Sequence, residues 1–160
     1  MCLTCDLINQ RITPPGGIIY KNDEVILHQC LDIDIAGYLI LSPIRHVASY
    51  QSLTDPELTA LHAVLKRASM ILEKLPSLEK IYICSLGEQT SHFHFHLFPR
   101  FRWMLDYPAC KICTDNKLDG AKLLSFMRAK YNLPCSTTAS SDVVKTAEHI
   151  RKMWHAGPIE

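Results

Sequence analysis

Three histidines alternate with two phenylalanines in the segment His92-Phe93-His94-Phe95-His96. Successive side chains of a β-strand point to opposite faces, so this spacing predicts three imidazoles on one face and apolar side chains on the other. A single histidine on a strand is usually structural, whereas three in strict alternation are more typical of a catalytic site. A purely structural metal site and a solvated, histidine-rich strand face are the alternatives.

Two Cys-x-x-Cys pairs, Cys2/Cys5 and Cys110/Cys113, are the second group of candidates. The chain has seven cysteines, an odd number for a disulfide scaffold, and in a reducing compartment such a pair is more often a metal or redox site. For Cys2/Cys5 the alternative is a pair of free buried thiols. Cys110/Cys113 has no recognisable histidine pair after it, so a metal half-site, a redox pair and an incidental spacing all stay open.

The composition limits the class of partner. Hydrophobic residues make up 48% and charged residues 21% of the 160-residue chain, which is ordinary for one soluble globular unit. Seventeen basic residues face sixteen acidic ones, without the basic stripe that binds phosphodiester backbones. We therefore expect no nucleic-acid partner, and any bound nucleotide is expected to be small. The N-terminus lacks a secretory signal and no long apolar run follows, so we expect a cytoplasmic protein without a membrane partner.

Turn residues and apolar runs divide the chain into short strands and longer helices. A hairpin is predicted at 18–20 and 25–27, a third strand at 37–41, closed by Ser42-Pro43 because proline cannot donate to a ladder, and two more strands at 81–84 and 93–98. A capping box at Thr54-Asp55-Pro56-Glu57 and leucines at spacings of three and four predict a long helix from about Asp55 to about Leu75.

Two further helices are predicted at 117–131 and 142–154, separated by a polar linker at 134–141. Short strands joined mostly by turns, with one long helix before the last two, predict an α+β fold. We expect an antiparallel sheet of about five strands with the helices on one side, followed by a C-terminal helical extension.

The segment from His92 to Arg100 resembles the signature of the histidine triad (HIT) family, in which three histidines alternate with apolar residues and Pro-Arg often follows. The resemblance extends from about Cys2 to Arg102 and includes Asp32-Ile33, the segment 37–46 and Leu53-Thr54-Asp55. It implies a HIT-like catalytic domain at 1–104 and an extension at 105–160, which we expect to be helical and packed on the same domain.

The resemblance also implies roles for individual residues. His94 would be the nucleophile that attacks the α-phosphorus of a nucleotide, and His96 would contact the phosphate or the leaving group. Asp32 would accept hydrogen bonds from ribose hydroxyl groups. Gln89, Thr90 and Ser91 would donate to the phosphate oxygens.

A structural zinc site is implied as well. Zinc prefers four ligands in a tetrahedron, and thiolate and imidazole are favourable donors. Members of bacterial type bind a metal through a Cys-x-x-Cys pair, the histidine of a Pro-x-x-His segment and the first histidine of the triad. The matching residues here are Cys2, Cys5, His46 and His92.

The family resemblance predicts a hydrolase or nucleotidyltransferase that cleaves a phosphoric anhydride or a phosphoramidate, most simply a dinucleoside polyphosphate or a nucleoside phosphoramidate. It also predicts a homodimer. The loop before the triad is shorter than usual, and Glu88 stands where the family often has glutamine. A nucleotide-binding regulatory module with little turnover therefore stays an alternative. A nucleic-acid deadenylase is another, because Arg100, Arg102 and Trp103 lie just after the triad.

Overall fold

The computed structural model describes residues 2–134 and 138–157 of the chain. Its helices and strands are, in chain order, α1 (Leu3–Ile8), β1 (Ile18–Lys21), β2 (Val25–Gln29), β3 (Leu39–Pro43), α2 (Asp55–Leu72), β4 (Leu78–Cys84), β5 (Phe95–Phe101), α3 (Ala109–Ile112), β6 (Cys113–Thr114), β7 (Lys117–Leu118), α4 (Gly120–Lys130) and α5 (Ser141–His155). Two short 3₁₀ segments, Tyr50–Ser52 and Arg102–Asp106, connect some of them.

The main sheet is antiparallel, with the strand order β1-β2-β3-β5-β4. The predicted hairpin of β1 and β2 is confirmed. Its turn is held by the Asn22 side chain, which accepts hydrogen bonds from the backbone N–H groups of Glu24 and Val25. The predicted five-stranded α+β architecture is likewise confirmed.

β3 ends at Pro43, as expected from the sequence, but Ser42 and Pro43 themselves belong to the strand and pair with β2. Pro43 also ends the pairing of β3 with its other neighbouring strand, β5. The ladder between β3 and β5 stops at the pair Leu41 and Phe95, since Pro43 has no N–H to donate and its carbonyl accepts from the His92 ring. β5 therefore begins at Phe95 rather than at Phe93.

α2 begins at the predicted capping box. The Thr54 hydroxyl accepts from the backbone N–H of Glu57, and the Glu57 carboxylate accepts from the backbone N–H of Thr54. Arg45 holds the same carboxylate with two hydrogen bonds of 3.0 and 2.8 Å. The helix ends at Leu72, a little before the predicted end, because Leu75 turns back to bond the carbonyl of Leu72.

The strands divide their side chains between two apolar cores, one on each face of the sheet. The first core packs α2 and α5 against the sheet, and its buried members include Leu27, Leu41, Leu61, Leu97, Ile150 and Trp154. The second core packs α4 against the opposite face, and its buried members include Tyr38, Ile40, Phe98, Leu123, Leu124 and Met127. The expectation that the helices lie on one side of the sheet is therefore wrong, because α4 covers the other side.

The two predicted C-terminal helices are confirmed as α4 and α5. The Asp119 side chain caps α4 by accepting from the backbone N–H groups of Ala121 and Lys122, and Ser140 caps α5. The predicted linker at 134–141 includes residues 135–137, which lie outside the described part of the chain. Within the described residues, no helix combines the length and apolar character needed to cross a membrane.

Candidate active site and metal centre

The histidine segment lies at the start of β5, on the sheet face that α4 covers. His92, His94 and His96 are all buried. Phe93, Phe95 and Leu97 pack in the opposite core, with α2 and α5. The predicted alternation of side chains is therefore present, although only His96 belongs to the regular strand.

Two carbonyl groups and the neighbouring rings fix the proton positions on these histidines. His94 Nδ1 lies 2.8 Å from the carbonyl oxygen of His92, and a carbonyl can only accept, so Nδ1 carries the proton. In the neutral ring this leaves the lone pair on His94 Nε2. That atom lies 2.9 Å from His96 Nε2, so the proton between them belongs to His96.

Tyr38 and Arg128 continue this hydrogen-bond chain on the far side of His96. With its proton on Nε2, the neutral His96 ring accepts at Nδ1, which lies 3.0 Å from the Tyr38 hydroxyl. The Tyr38 oxygen in turn accepts from Nη1 of Arg128. Arginine can only donate, so the Tyr38 oxygen accepts from Arg128 and the Tyr38 hydroxyl is free to donate to His96. This agrees with the proton positions deduced from the His92 carbonyl.

His96 is neutral near physiological pH. Burial lowers its pKa to about 3, and the positive charge of Arg128 acts in the same direction. A neutral His96 keeps one ring nitrogen as a donor and the other as an acceptor, as the hydrogen bonds to His94 and Tyr38 require.

A cavity of about 290 Å³ opens beside His94 and His96. Predicted site residues that line it are Asp32, Gln89 and Thr90, whereas Ser91 is exposed and does not. The other lining residues are Leu3, Thr4, His28, Cys30, Leu31, Ile40, Leu86, Gly87, Glu88 and Arg128. The cavity thus combines an apolar wall with convergent polar groups, which is typical of small-molecule sites.

His28 is a buried acceptor in this cavity. Cross-strand pairing puts it in one row with Ile40 and His96, because His28 pairs with Ile40 and Ile40 pairs with His96. Its Nδ1 donates to the carbonyl of Gln29 over 2.8 Å, while Nε2 has no hydrogen-bond partner among the described residues. Burial lowers the pKa of His28 to about 4, so Nε2 keeps its lone pair at neutral pH.

Asp32 lies in the loop that follows β2. The thiol of Cys30 donates to Asp32 Oδ1 over 3.1 Å, and burial raises the pKa of that thiol. Cys30 therefore stays protonated and fixes one carboxylate oxygen of Asp32, while the carboxyl group lines the cavity.

The four predicted metal ligands converge at the other end of the triad. The ligand atoms of Cys2, Cys5, His46 and His92 all lie within 4.8 Å of one another. Cys5 Sγ is 3.2 Å from His46 Nδ1 and 3.6 Å from His92 Nδ1. The bond lengths of zinc to sulfur and nitrogen give a tetrahedral edge of about 3.6 Å, so the donor types and spacing fit a zinc ion.

The orientation of His92 supports the same conclusion. Its Nε2 donates to the carbonyl of Pro43 over 2.9 Å, which leaves Nδ1 without a proton and directed at the two thiols. Four protein ligands leave no open coordination position, so an ion held here would be structural. Cys110 and Cys113 form no comparable cluster of three or more ligands in the described part of the chain.

Sequence reasoning missed His28, Tyr38 and Arg128. His28 could have been suspected from the sequence, because it is a polar residue that directly follows the apolar run Val25-Ile26-Leu27. Arg128 lies on a helix whose sequence looks like any amphipathic segment, so only the packing of α4 against the sheet brings it to the cavity.

Comparison with known proteins agrees with this geometry. The profile of the HIT domain matches residues 13–103. An uncharacterized HIT-like protein of Methanocaldococcus jannaschii is 26% identical over 106 residues, which span 63% of this chain and 80% of that protein. The nitrilase and fragile histidine triad fusion protein NitFhit of Caenorhabditis elegans is 29% identical over 92 residues, which span 54% of this chain and 21% of the fusion protein.

Solved structures share the fold over nearly the whole chain. A HIT-like protein of Bartonella henselae has a TM-score of 0.62 at 16% identity and covers 92% of this chain and 91% of its own. A zinc-bound histidine triad family protein of Mycobacterium smegmatis has a TM-score of 0.62 at 15% identity, with coverages of 94% and 91%. Because the HIT profile spans more than half of the sequence, this chain belongs to the HIT family.

Proposed function

We propose that this chain is a nucleotide hydrolase or nucleotidyltransferase that acts at the α-phosphate through a covalent nucleotidyl-His94. Membership of the HIT family supports nucleotide hydrolase or transferase chemistry in general. The observation that carries the specific proposal is the hydrogen bond from His94 Nδ1 to the carbonyl of His92. It keeps the lone pair on Nε2, beside the cavity.

In the first step His94 Nε2 attacks phosphorus and an N–P bond forms. The bond from phosphorus to the leaving atom breaks, and the electron pair departs with that atom. The His96 Nε2 N–H, which points toward His94 in the free protein, donates a hydrogen bond to the departing atom. A leaving amine takes its proton from solvent, so the His96 ring stays neutral.

In the second step water or another acceptor attacks the same phosphorus. The N–P bond breaks and its electron pair returns to His94. The attacking water releases a proton to solvent, and the free lone pair on His94 Nε2 restores the starting state. Two successive displacements at one centre need a nucleophile held in place, and the hydrogen bonds on both sides of His94 provide this.

Substrate recognition is assigned to the cavity. We expect Asp32 to accept from ribose hydroxyl groups, with Cys30 fixing its orientation. Gln89 and Thr90 line the cavity and are the proposed donors to phosphate oxygens. Ser91 is exposed, so in this role it would have to contribute through its backbone or after a loop movement.

We also propose that Cys2, Cys5, His46 and His92 hold one structural zinc ion. The convergence of the four ligand atoms and the zinc-bound relative from Mycobacterium smegmatis support this.

A homodimer is proposed as well. β4 is an edge strand of the main sheet and exposes Ile83; light scattering on the purified protein measures the oligomeric state.

A nucleotide-binding module with little turnover is the second candidate. Glu88 lines the cavity, and a carboxylate beside a phosphate is unfavourable unless it turns away. This candidate predicts nucleotide binding without a covalent intermediate.

The two candidates are separated by trapping the intermediate. The protein is mixed with α-³²P-labelled adenine and guanine dinucleoside polyphosphates and phosphoramidates, then quenched in alkali, where a phosphoramidate bond survives. We expect label on wild type and on His62→Asn, which changes an exposed histidine of α2, and none on His94→Asn. Nucleotide binding by wild type without any label or turnover would favour the module.

A further inference from the structure

Arg128 reaches the cavity from outside the HIT domain. It lies on α4, beyond the matched residues 13–103, and its side chain is half-buried. The guanidinium lies over the Tyr38 ring, 5.8 Å from its centroid, and donates to the Tyr38 hydroxyl. That is its one hydrogen bond within the described residues, so its other N–H groups are available to a ligand.

The charges around the cavity make this arginine distinctive. Among the lining residues, Arg128 is the only lysine or arginine, and Asp32 and Glu88 are acidic. His28 and His96 contribute no positive charge near neutral pH, because burial lowers the pKa of His28 to about 4 and that of His96 to about 3.

Arg128 also makes no salt bridge with any carboxylate in the part of the chain that the structure describes. The salt bridges within the described residues involve Arg11, Arg45, Arg100 and Arg102. The Asp32 carboxylate acts on Arg128 through its charge but makes no salt bridge with it. A half-buried guanidinium has lost part of its hydration, and a bound anion would replace that hydration with charge-assisted hydrogen bonds.

We propose that Arg128 is the cation that binds the phosphate of the nucleotide, so that the C-terminal extension completes the substrate site of the HIT domain. This inference rests on the proposed function, because it takes the cavity as the nucleotide site. Arg128 lies two hydrogen bonds from His96, through Tyr38, and lines the same cavity as His94 and His96.

The first test measures binding, independently of turnover. Affinities for AMP, GMP and the matching nucleosides, adenosine and guanosine, are determined for wild type, Arg128→Gln, Arg128→Lys and Lys130→Gln. Lys130 is the matched control, since it is an exposed cation on the same helix and does not line the cavity. All variants are checked by thermal melting and zinc content.

A charge-assisted hydrogen bond predicts that Arg128→Gln weakens nucleotide binding about tenfold or more. Nucleoside affinity should change less than about threefold, Arg128→Lys should recover most of the loss, and Lys130→Gln should behave like wild type. Added salt should weaken AMP binding to wild type more than to Arg128→Gln. Equal losses for nucleotide and nucleoside, or no loss, would overturn the proposal.

The variant Tyr38→Phe distinguishes direct phosphate binding by Arg128 from an indirect role in which Arg128 only orients Tyr38 and His96. If Arg128 acted only by orienting Tyr38 and His96, then Tyr38→Phe would reproduce the loss of AMP affinity, and the proposal would be wrong. We expect it to keep AMP affinity within about threefold and to lower kcat. Wild type that binds AMP but turns over no nucleotide would refute the proposed function and leave this binding test valid, whereas wild type that binds neither AMP nor GMP would overturn both.

Discussion

At the scale of single residues, the site depends on where protons lie rather than on which residues are present. His94 and His96 have the same side chain but carry their protons on different nitrogens. The His92 carbonyl fixes the His94 proton on Nδ1, and Tyr38 occupies Nδ1 of His96, whose proton is therefore on Nε2. One ring is thereby left as a nucleophile and the other as a donor.

Replacing His94 should therefore separate catalysis from binding. We expect His94→Ala to lose turnover by several orders of magnitude, because the covalent route is removed. Nucleotide affinity should stay within about tenfold, since one polar contact contributes about 1 kcal/mol. Steady-state kinetics and equilibrium binding on the same preparation measure both, and near-normal turnover would refute the nucleophile assignment.

His28 should make the protein acid-sensitive. In the unfolded chain it binds a proton near its ordinary pKa of 6.5, but in the native state only near about 4. The unfolded state thus holds more protons between these values, so the free energy of unfolding falls as the pH falls through that window, by at most about 1.4 kcal/mol per pH unit for this residue.

Denaturant unfolding between pH 7 and pH 4 tests this. The decrease should be smaller in His28→Leu than in wild type, while His62→Leu, at an exposed position of α2, should keep the wild-type slope. His96, whose pKa is also lowered, accounts for part of the decrease that remains. Parallel curves for wild type and His28→Leu would contradict the prediction.

At the scale of elements, the short helix α1 contributes through its two cysteines. A six-residue helix is too short to be stable alone. Cys2 and Cys5, at its start, meet His46 and His92, from the loop after β3 and the approach to β5. A metal ion here would fasten the N-terminal segment to the catalytic strand.

We accordingly expect about one zinc per chain in protein purified without chelator. Cys5→Ser should lose the metal and melt at a lower temperature, because structural zinc binding contributes directly to folding free energy. Cys110→Ser, which changes an exposed cysteine of the other Cys-x-x-Cys pair, is the control and should keep both. Elemental analysis without zinc in the wild type would refute the assignment.

Local sequence patterns predicted the helices and strands more accurately than they predicted the contacts between them. The capping box of α2 depends on residues three apart, so Thr54 and Glu57 were enough to identify it. The end of the β3–β5 ladder depends on Pro43 and His92, which are far apart in sequence, so the strand boundary was misplaced. Which face α4 covers depends on packing alone, and for that reason Arg128 could not be anticipated.

At the scale of the whole molecule, the C-terminal segment closes both faces of the sheet. α5 contributes Val143, Ala147, Ile150 and Trp154 as buried residues, and Trp154 packs 4.9 Å from the Tyr20 ring. Arg67 of α2 donates to the carbonyl of Trp154. The extension is therefore part of the hydrophobic core.

Deleting residues 141–160 should destabilise the protein strongly, because uncovering one large core side chain costs several kcal/mol and α5 covers several. We expect the truncated chain to be insoluble or to bind hydrophobic dyes at 25 °C. Lys145→Ala, an exposed position on α5, is the control. A truncated chain with cooperative, wild-type-like unfolding would show that α5 is dispensable.

The hydrogen bonds from Arg128 to the His92 carbonyl run in one direction, since an arginine begins the series and a carbonyl ends it. Adjacent triad histidines are thereby locked in opposite tautomers, and each bond polarises the next. Nitrogen-15 NMR of histidine-labelled protein should detect this without substrate: a protonated Nδ1 in His94 and a protonated Nε2 in His96. In Tyr38→Phe, His96 loses its partner at Nδ1, so its two tautomers should begin to exchange while His94 keeps its proton in place.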